Sequence, residues 1–115
     1  MVAVFFHGLR EALSCDWAPS VDVYRAPGGW VLKLDLAGVR PDDLTVEVRG
    51  SRVRVSGVRR DRVVETGWRH YSMEISYCRF ERQVELPSPL EGARIASEYR
   101  DGMLIVRIES ERKGE

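Results

Sequence analysis

The chain has 115 residues, 18 basic and 18 acidic, for a formal net charge of zero, and 43% of its residues are hydrophobic. That is one domain's worth of sequence, long enough to bury a core without staples. Zero net charge leaves no global field to draw nucleic acid or an acidic membrane.

Residues 1–16 form an apolar arm that gathers Val2, Val4, Phe5, Phe6, Leu9 and Leu13. No basic region precedes this run, and His7, Arg10 and Glu11 interrupt it, so it makes a poor signal peptide. No other stretch approaches a membrane span, and the expected location is cytoplasmic. Cys15 and Cys78 are too few for a disulfide framework and read as reduced thiols.

From Val21 onward the dominant period is two, the signature of strands with one buried face. Trp30, Leu32 and Leu34 alternate with Lys33 and Asp35, after a Gly28-Gly29 hairpin turn. Pro41-Asp42-Asp43 suits a short helical turn. Leu44, Val46 and Val48 then alternate with Thr45, Glu47 and Arg49. Gly50-Ser51 is a two-residue hairpin signal, followed by Val53 and Val55 between Arg52 and Arg54. Residues 59–75 are long for a hairpin connection and resume alternation at Tyr71, Met73 and Ile75, which predicts partial strand formation. Phe80, Arg82, Val84 and Leu86 set another strand, stopped by Pro87-Ser88-Pro89. Residues 95–99 and 103–109 flank Asp101-Gly102, a strong hairpin signal, with Leu104, Val106 and Ile108 on one face. Six or more short strands predict an all-β sandwich of two sheets.

Only Lys33 and Lys113 among the basic residues are lysines. The rest are arginines, suited to bidentate pairing with carboxylates. The densest run, Arg49, Arg52, Arg54, Arg59, Arg60 and Arg62, lacks an aromatic stacking platform. A solvated or ion-paired sheet face is expected there, with no nucleic acid and no membrane as partner. His7 and His70 have no cysteine or acidic cluster at metal-ligand spacing, and neither cysteine lies in a nucleophile motif. The reading is a non-enzyme with no cofactor and no metal.

Five segments, in order, resemble the α-crystallin domain of small heat-shock proteins over residues 17–109. Trp17-Ala18-Pro19-Ser20-Val21-Asp22-Val23 resembles the opening Pro-x-Val-Asp-Val strand. WVLKLDLAGVRPDDLTVEV resembles the family's long two-strand block, with Ala37 where proline is usual. RVRVSGVR, with Gly57 and Arg59, resembles Leu-x-Ile-x-Gly-x-Arg. Residues 80–87 resemble Phe-x-Arg-x-Phe-x-Leu-Pro, with Cys78 where a glycine precedes that strand. Residues 97–104 resemble the Gly-x-Leu hairpin block, with Ser97 replacing alanine.

The resemblance implies an immunoglobulin-like antiparallel β-sandwich, and the interval from Gly57 to Pro87 is similar to the bacterial and plant branch. There a long loop strand crosses to the partner's sheet for dimer exchange. It implies an ATP-independent holdase, with unfolding client proteins and a second copy of the chain as partners. CS-domain co-chaperone adaptors share the sandwich and are the alternative, but they lack the long loop and the Gly-x-Leu signature. Client-binding candidates are Val4, Phe5, Phe6, Leu9 and Leu13. Groove candidates are Leu44, Val46, Val48, Ile95 and Tyr99. Dimer-interface candidates are Trp68, Tyr71, Met73, Ile75, Val21 and Val23. The polar tail 110–115 carries no Ile-x-Ile motif, so the expectation is a dimer or an arm-held assembly.

Overall fold

A computed structural model describes Cys15 and residues 17–110 of the chain. The period-two segments become seven strands among these residues: β1 Val21–Ala26, β2 Gly29–Asp35, β3 Leu44–Arg49, β4 Arg52–Val58, β5 Arg79–Glu85, β6 Arg94–Arg100 and β7 Met103–Glu109. A single 3-10 turn, Pro41–Asp43, precedes β3 with its proline at the first position, where a missing N–H costs nothing. The strands form two antiparallel sheets, ordered β1-β2-β7-β6 and β3-β4-β5.

Register turns the sequence pattern into cross-sheet rows. In the four-stranded sheet the inward rows are Val21–Leu34–Leu104–Tyr99, Val23–Leu32–Val106–Ser97 and Arg25–Trp30–Ile108–Ile95. In the three-stranded sheet they are Leu44–Gly57–Phe80, Val46–Val55–Arg82 and Val48–Val53–Val84. The buried core is the middle of these rows, including Leu32, Leu34, Val106, Val53 and Val55, with Leu36, Val39, Leu86 and Leu90 added from the connections. No polar or charged residue is buried among the described residues, so apolar burial carries the core.

Two hairpins follow their turn residues. Arg49 pairs with Arg52 across Gly50-Ser51, and Arg100 pairs with Met103 across Asp101-Gly102. Asp101 and Gly102 both have positive φ, the requirement of the turn that matches strand twist. The first turn is shifted from expectation: Ala26 pairs with Gly29, so the turn is Pro27-Gly28 and Gly29 already belongs to β2. At Gly57 the constraint is close approach, since a Cβ there would strike the Asp43 carbonyl and the Phe80 ring.

No strand occurs between Val58 and Arg79, where the sequence pattern predicts one in part. A strand needs a second backbone to satisfy its N–H and C=O groups, and this chain alone offers none there. The cysteines depart from expectation outright: Cys15 and Cys78 form a disulfide, with Cα atoms 5.8 Å apart. Their separation of 63 residues hides that proximity from the sequence.

Truncating the row centres should cost far more than truncating their ends. Leu34→Ala is expected to lower unfolding free energy by about 2–5 kcal/mol. Ile95→Ala, at an exposed row end, should cost about 1 kcal/mol or less. Urea unfolding of the two variants checks the difference.

Candidate functional site: sheet edges, loop and strap

The four-stranded sheet is one strand wider than its partner, and its flanking strands show it. On β1, Val23 is 42% exposed and Tyr24 44%, while on β6, Ile95 is 41% exposed. Ser97, in the next inward row, is exposed as well. The outer backbone edges of β1, β6, β3 and β5 have no neighbouring strand among the described residues.

Arg82 fixes how the sheets are superposed. It lies on an inward row of β5, and its Nη1 donates to the Pro19 carbonyl at 3.0 Å, just before β1. This places β5 beneath the β1 flank and leaves β3 on the β6 side. The groove candidates therefore gather at one flank, with Leu44, Val46 and Val48 half-buried on β3 and Tyr99 and Ile95 on β6. Tyr99 Oη donates to the Leu36 carbonyl at 2.6 Å, pinning the end of β6 to the corner after β2. Burial pushes the Tyr99 phenol up.

The dimer-interface candidates are split between the opposite flank and the long loop. Val21 and Val23 lie on β1, and Trp68, Tyr71, Met73 and Ile75 lie on the long loop. Every residue from Arg60 to Ile75 is exposed. Tyr71 is fully exposed, Trp68 57%, Met73 52% and Ile75 60%. Val63 and Val64, at 72% and 52%, belong to the same surface. They escape sequence reading because a Val-Val pair outside an alternating run has no periodic signal.

Residues 15 and 17–20 form a strap over the start of β5, with alternate residues inward. The Trp17 ring meets the Phe80 ring edge-on with centroids 5.1 Å apart. Arg59 lies over the other side of Trp17, 3.9 Å from its centroid. Arg59 Nε also donates to the Ser76 carbonyl at 2.9 Å and Nη1 to the Ala37 carbonyl at 3.2 Å. One guanidinium thus ties the strap, the loop's return and the corner after β2. Pro19 is fully buried, and Cys78 is buried at the other end of the disulfide. In the chain-entropy picture, closing so long a loop stabilises the fold by about 4 kcal/mol.

Four arginines of the run, Arg52, Arg54, Arg60 and Arg62, pair with carboxylates. Arg54 reaches Glu47 at 3.0 Å and Glu81 at 2.8 Å, Arg52 reaches Glu85 at 3.1 Å, and Arg62 reaches Asp43 at 2.7 Å. The Gln83 amide and then Arg54 hold the Glu81 carboxyl below its usual range, and Ser51 followed by Arg52 do the same for Glu85. These groups are largely exposed, so the pairs contribute little to stability. No cluster of three or more metal-ligating side chains occurs among the described residues. No helix among them is long and apolar enough to cross a membrane. The client-binding candidates Val4, Phe5, Phe6, Leu9 and Leu13 fall outside the described residues.

The comparisons with known proteins agree with this geometry. The Hsp20/alpha crystallin family matches residues 22–115. The chain belongs to that family. Spore protein SP21 of Stigmatella aurantiaca is 30% identical over 92 residues, which are 80% of this chain and 54% of that protein. The 22.7 kDa class IV heat shock protein of Pisum sativum is 33% identical over 89 residues, 76% of this chain and 45% of that protein. The chain thus spans about half the length of these relatives. Among solved structures, heat shock protein 16.0 of Schizosaccharomyces pombe superposes with a TM-score of 0.73 at 21% identity, covering 87% of this chain and 93% of that one. The hspA structure from Xanthomonas axonopodis gives 0.67 at 27% identity, covering 84% and 97%.

Arg59→Ala removes two carbonyl bonds and the stacking on Trp17. It should lower unfolding free energy by about 2 kcal/mol. In hydrogen exchange, the amide of Arg59, bonded to the Cys78 carbonyl at 2.9 Å, should lose protection. Unchanged stability together with unchanged exchange would show that the guanidinium does not tie these segments.

Proposed function

We propose that this small heat-shock family member is an ATP-independent holdase, which captures unfolding proteins on exposed apolar surface and keeps them from aggregating. One observation carries the reading: six large apolar side chains between Val63 and Ile75 are more than half exposed on a single connection. So dense an apolar patch marks a surface made for another polypeptide. Each apolar side chain buried on a client contributes about 1.5–3 kcal/mol before ordering costs, which suits weak, multivalent and reversible capture. Such capture requires neither a catalytic group nor a nucleotide.

Within this reading residues 17–109 are the folded unit, and the apolar arm supplies client contacts through Val4, Phe5, Phe6, Leu9 and Leu13. The same loop surface also serves self-association: Trp68, Tyr71, Met73 and Ile75 cross to the β1 edge of a second copy, covering Val21 and Val23. Pairing there satisfies the backbone of both segments and removes a sticky edge. The β3–β6 groove, with Leu44, Val46, Val48, Ile95 and Tyr99, receives an apolar strand or tail from a partner. The chain works in the cytoplasm.

Light scattering from a heat-denatured model enzyme in nucleotide-free buffer tests the holdase. Near-equimolar protein should suppress the signal strongly, whereas full scattering with the sandwich intact by circular dichroism would sink the proposal. For self-association, deletion of residues 67–75 should convert a dimer to a monomer by light-scattering mass. An unchanged mass would remove the loop from the interface.

A further inference from the structure

Cys15 and Cys78 join two segments that the chaperone reading puts to work separately. Cys15 is the root of the N-terminal arm, and Cys78 ends the long loop immediately before β5. The two sulfur-bearing residues differ in access, since Cys15 is exposed while Cys78 has no exposed surface.

Cys15 also stands between two clefts. One, of about 730 Å³, is lined by Trp17 and Phe80 together with charged side chains, Asp43, Arg54, Arg60 and Glu81 among them. The other, of about 790 Å³, lies under the loop and is lined by Val64, Met73, Ile75 and Tyr77. Both include Cys15 in their wall.

Four anchors hold the strap: the disulfide, Trp17 between Phe80 and Arg59, the Pro19 carbonyl on Arg82, and the Ser20 carbonyl, which accepts from the Asp35 amide at 3.1 Å. The disulfide is the outermost of the four and the only covalent one. Its loss frees the strap from its N-terminal end, with Trp17 the next contact to yield.

We propose that the Cys15–Cys78 disulfide is a redox clasp, opened by dithiols, which releases the strap and joins the two clefts into one trough at the loop base, apolar on its loop side and charged on its β4–β5 side. A dithiol thiolate attacks the exposed Cys15 sulfur, the disulfide bond breaks, and Cys78 leaves as a thiolate that takes a proton. The second thiol of the reagent then attacks the mixed disulfide, releasing Cys15 as a thiol and leaving the reagent as a cyclic disulfide. The reverse exchange, with a small-molecule disulfide as oxidant, closes the clasp. Disulfides in reducing compartments are mostly transient and redox-sensing, which suits a clasp over a permanent staple. That the trough takes client polypeptide rests on the holdase reading; the clasp itself does not.

The full chain, labelled with 5-fluorotryptophan, is compared after treatment with oxidised glutathione and with dithiothreitol. Thiol alkylation with mass detection should find no reactive cysteine in the first state and two in the second. The fluorine resonance of Trp17, assigned by its loss in Trp17→Phe, should move to a solvent-exposed position on reduction while that of Trp30 stays. Binding of anilinonaphthalene sulfonate should rise at least twofold. Cys15→Ser, a change at an exposed position, should show the reduced resonance and dye binding under both treatments. Two alkylatable thiols after oxidation, or a Trp17 resonance indifferent to reduction, would overturn the clasp. Aggregation suppression is followed on the same samples. If the Trp17 resonance responds while neither state suppresses aggregation, the clasp stands and the holdase reading fails.

Discussion

A sheet of four strands laid on a sheet of three cannot cover all of its own inward face. Here the uncovered remainder is divided between both flanks, where Val23 on β1 and Ile95 on β6 are each about two-fifths exposed on inward rows. Among the described residues, the candidate interaction surfaces lie at those flanks and in the long loop. The middle of each row is closed, with Leu32, Leu34, Val53 and Val106 inaccessible. Close packing there leaves no latitude for binding, so recognition is displaced to the margins.

The two margins are treated differently. At the β1 margin charge points inward: Arg25 closes a row by lying 4.5 Å from the Trp30 ring centroid, and Arg82 closes another by reaching the Pro19 carbonyl. Inward-pointing charge is one of the ways natural sheets blunt an edge against uncontrolled pairing. The strap adds a further layer over the same side. At the β6 margin the row ends are Tyr99, Ser97 and Ile95, which present one apolar side chain, one small polar one and a phenol already committed to Leu36. An apolar strand approaching from that side meets no charge on these rows. On the proposed reading, the β1 flank, closed by charge, suits one specific partner, and the β6 flank suits varied apolar sequences.

How much of this was legible follows from period and distance. The inward rows could be read because β2, β3, β4 and β7 alternate cleanly, and one residue's slip would have turned every one of those side chains outward. Asp101-Gly102 and Gly50-Ser51 fixed two registers through their turn chemistry. Gly28-Gly29 misled by one residue, because Pro27 can open a turn as readily as a second glycine. The ion pairing of Arg52 and Arg54 was legible from their place on a solvent face. Beyond reach were contacts made by the sheets' superposition: Arg59 over Trp17, Arg82 on Pro19, and Cys15 against Cys78. Each joins residues more than 40 positions apart across non-paired elements, where neither alternation nor turn signals carry information. The loop segment forms no strand within the single chain for another reason. Tyr71, Met73 and Ile75 have the right alternation, but a strand is a property of two backbones, and this chain supplies one.

The strap, the loop and Arg59 meet at a single point, and that has a mechanical consequence. Arg59 begins the loop, Ser76 and Cys78 end it, and the guanidinium spans both while resting on Trp17. With Cys15 bonded to Cys78, residues 15–78 form a covalent ring that holds β1 to β4 and the whole loop. A partner chain that draws the loop outward therefore pulls on the arm's root, and an arm engaged elsewhere pulls on the loop's return into β5. Without the disulfide, the coupling rests on a stacked guanidinium and two carbonyl bonds, contacts that break and re-form locally without unfolding either sheet. The strap meets the core rows only at their ends, Trp17 at Phe80 and Pro19 at Arg82, so the row centres can stay rigid while the accessories move.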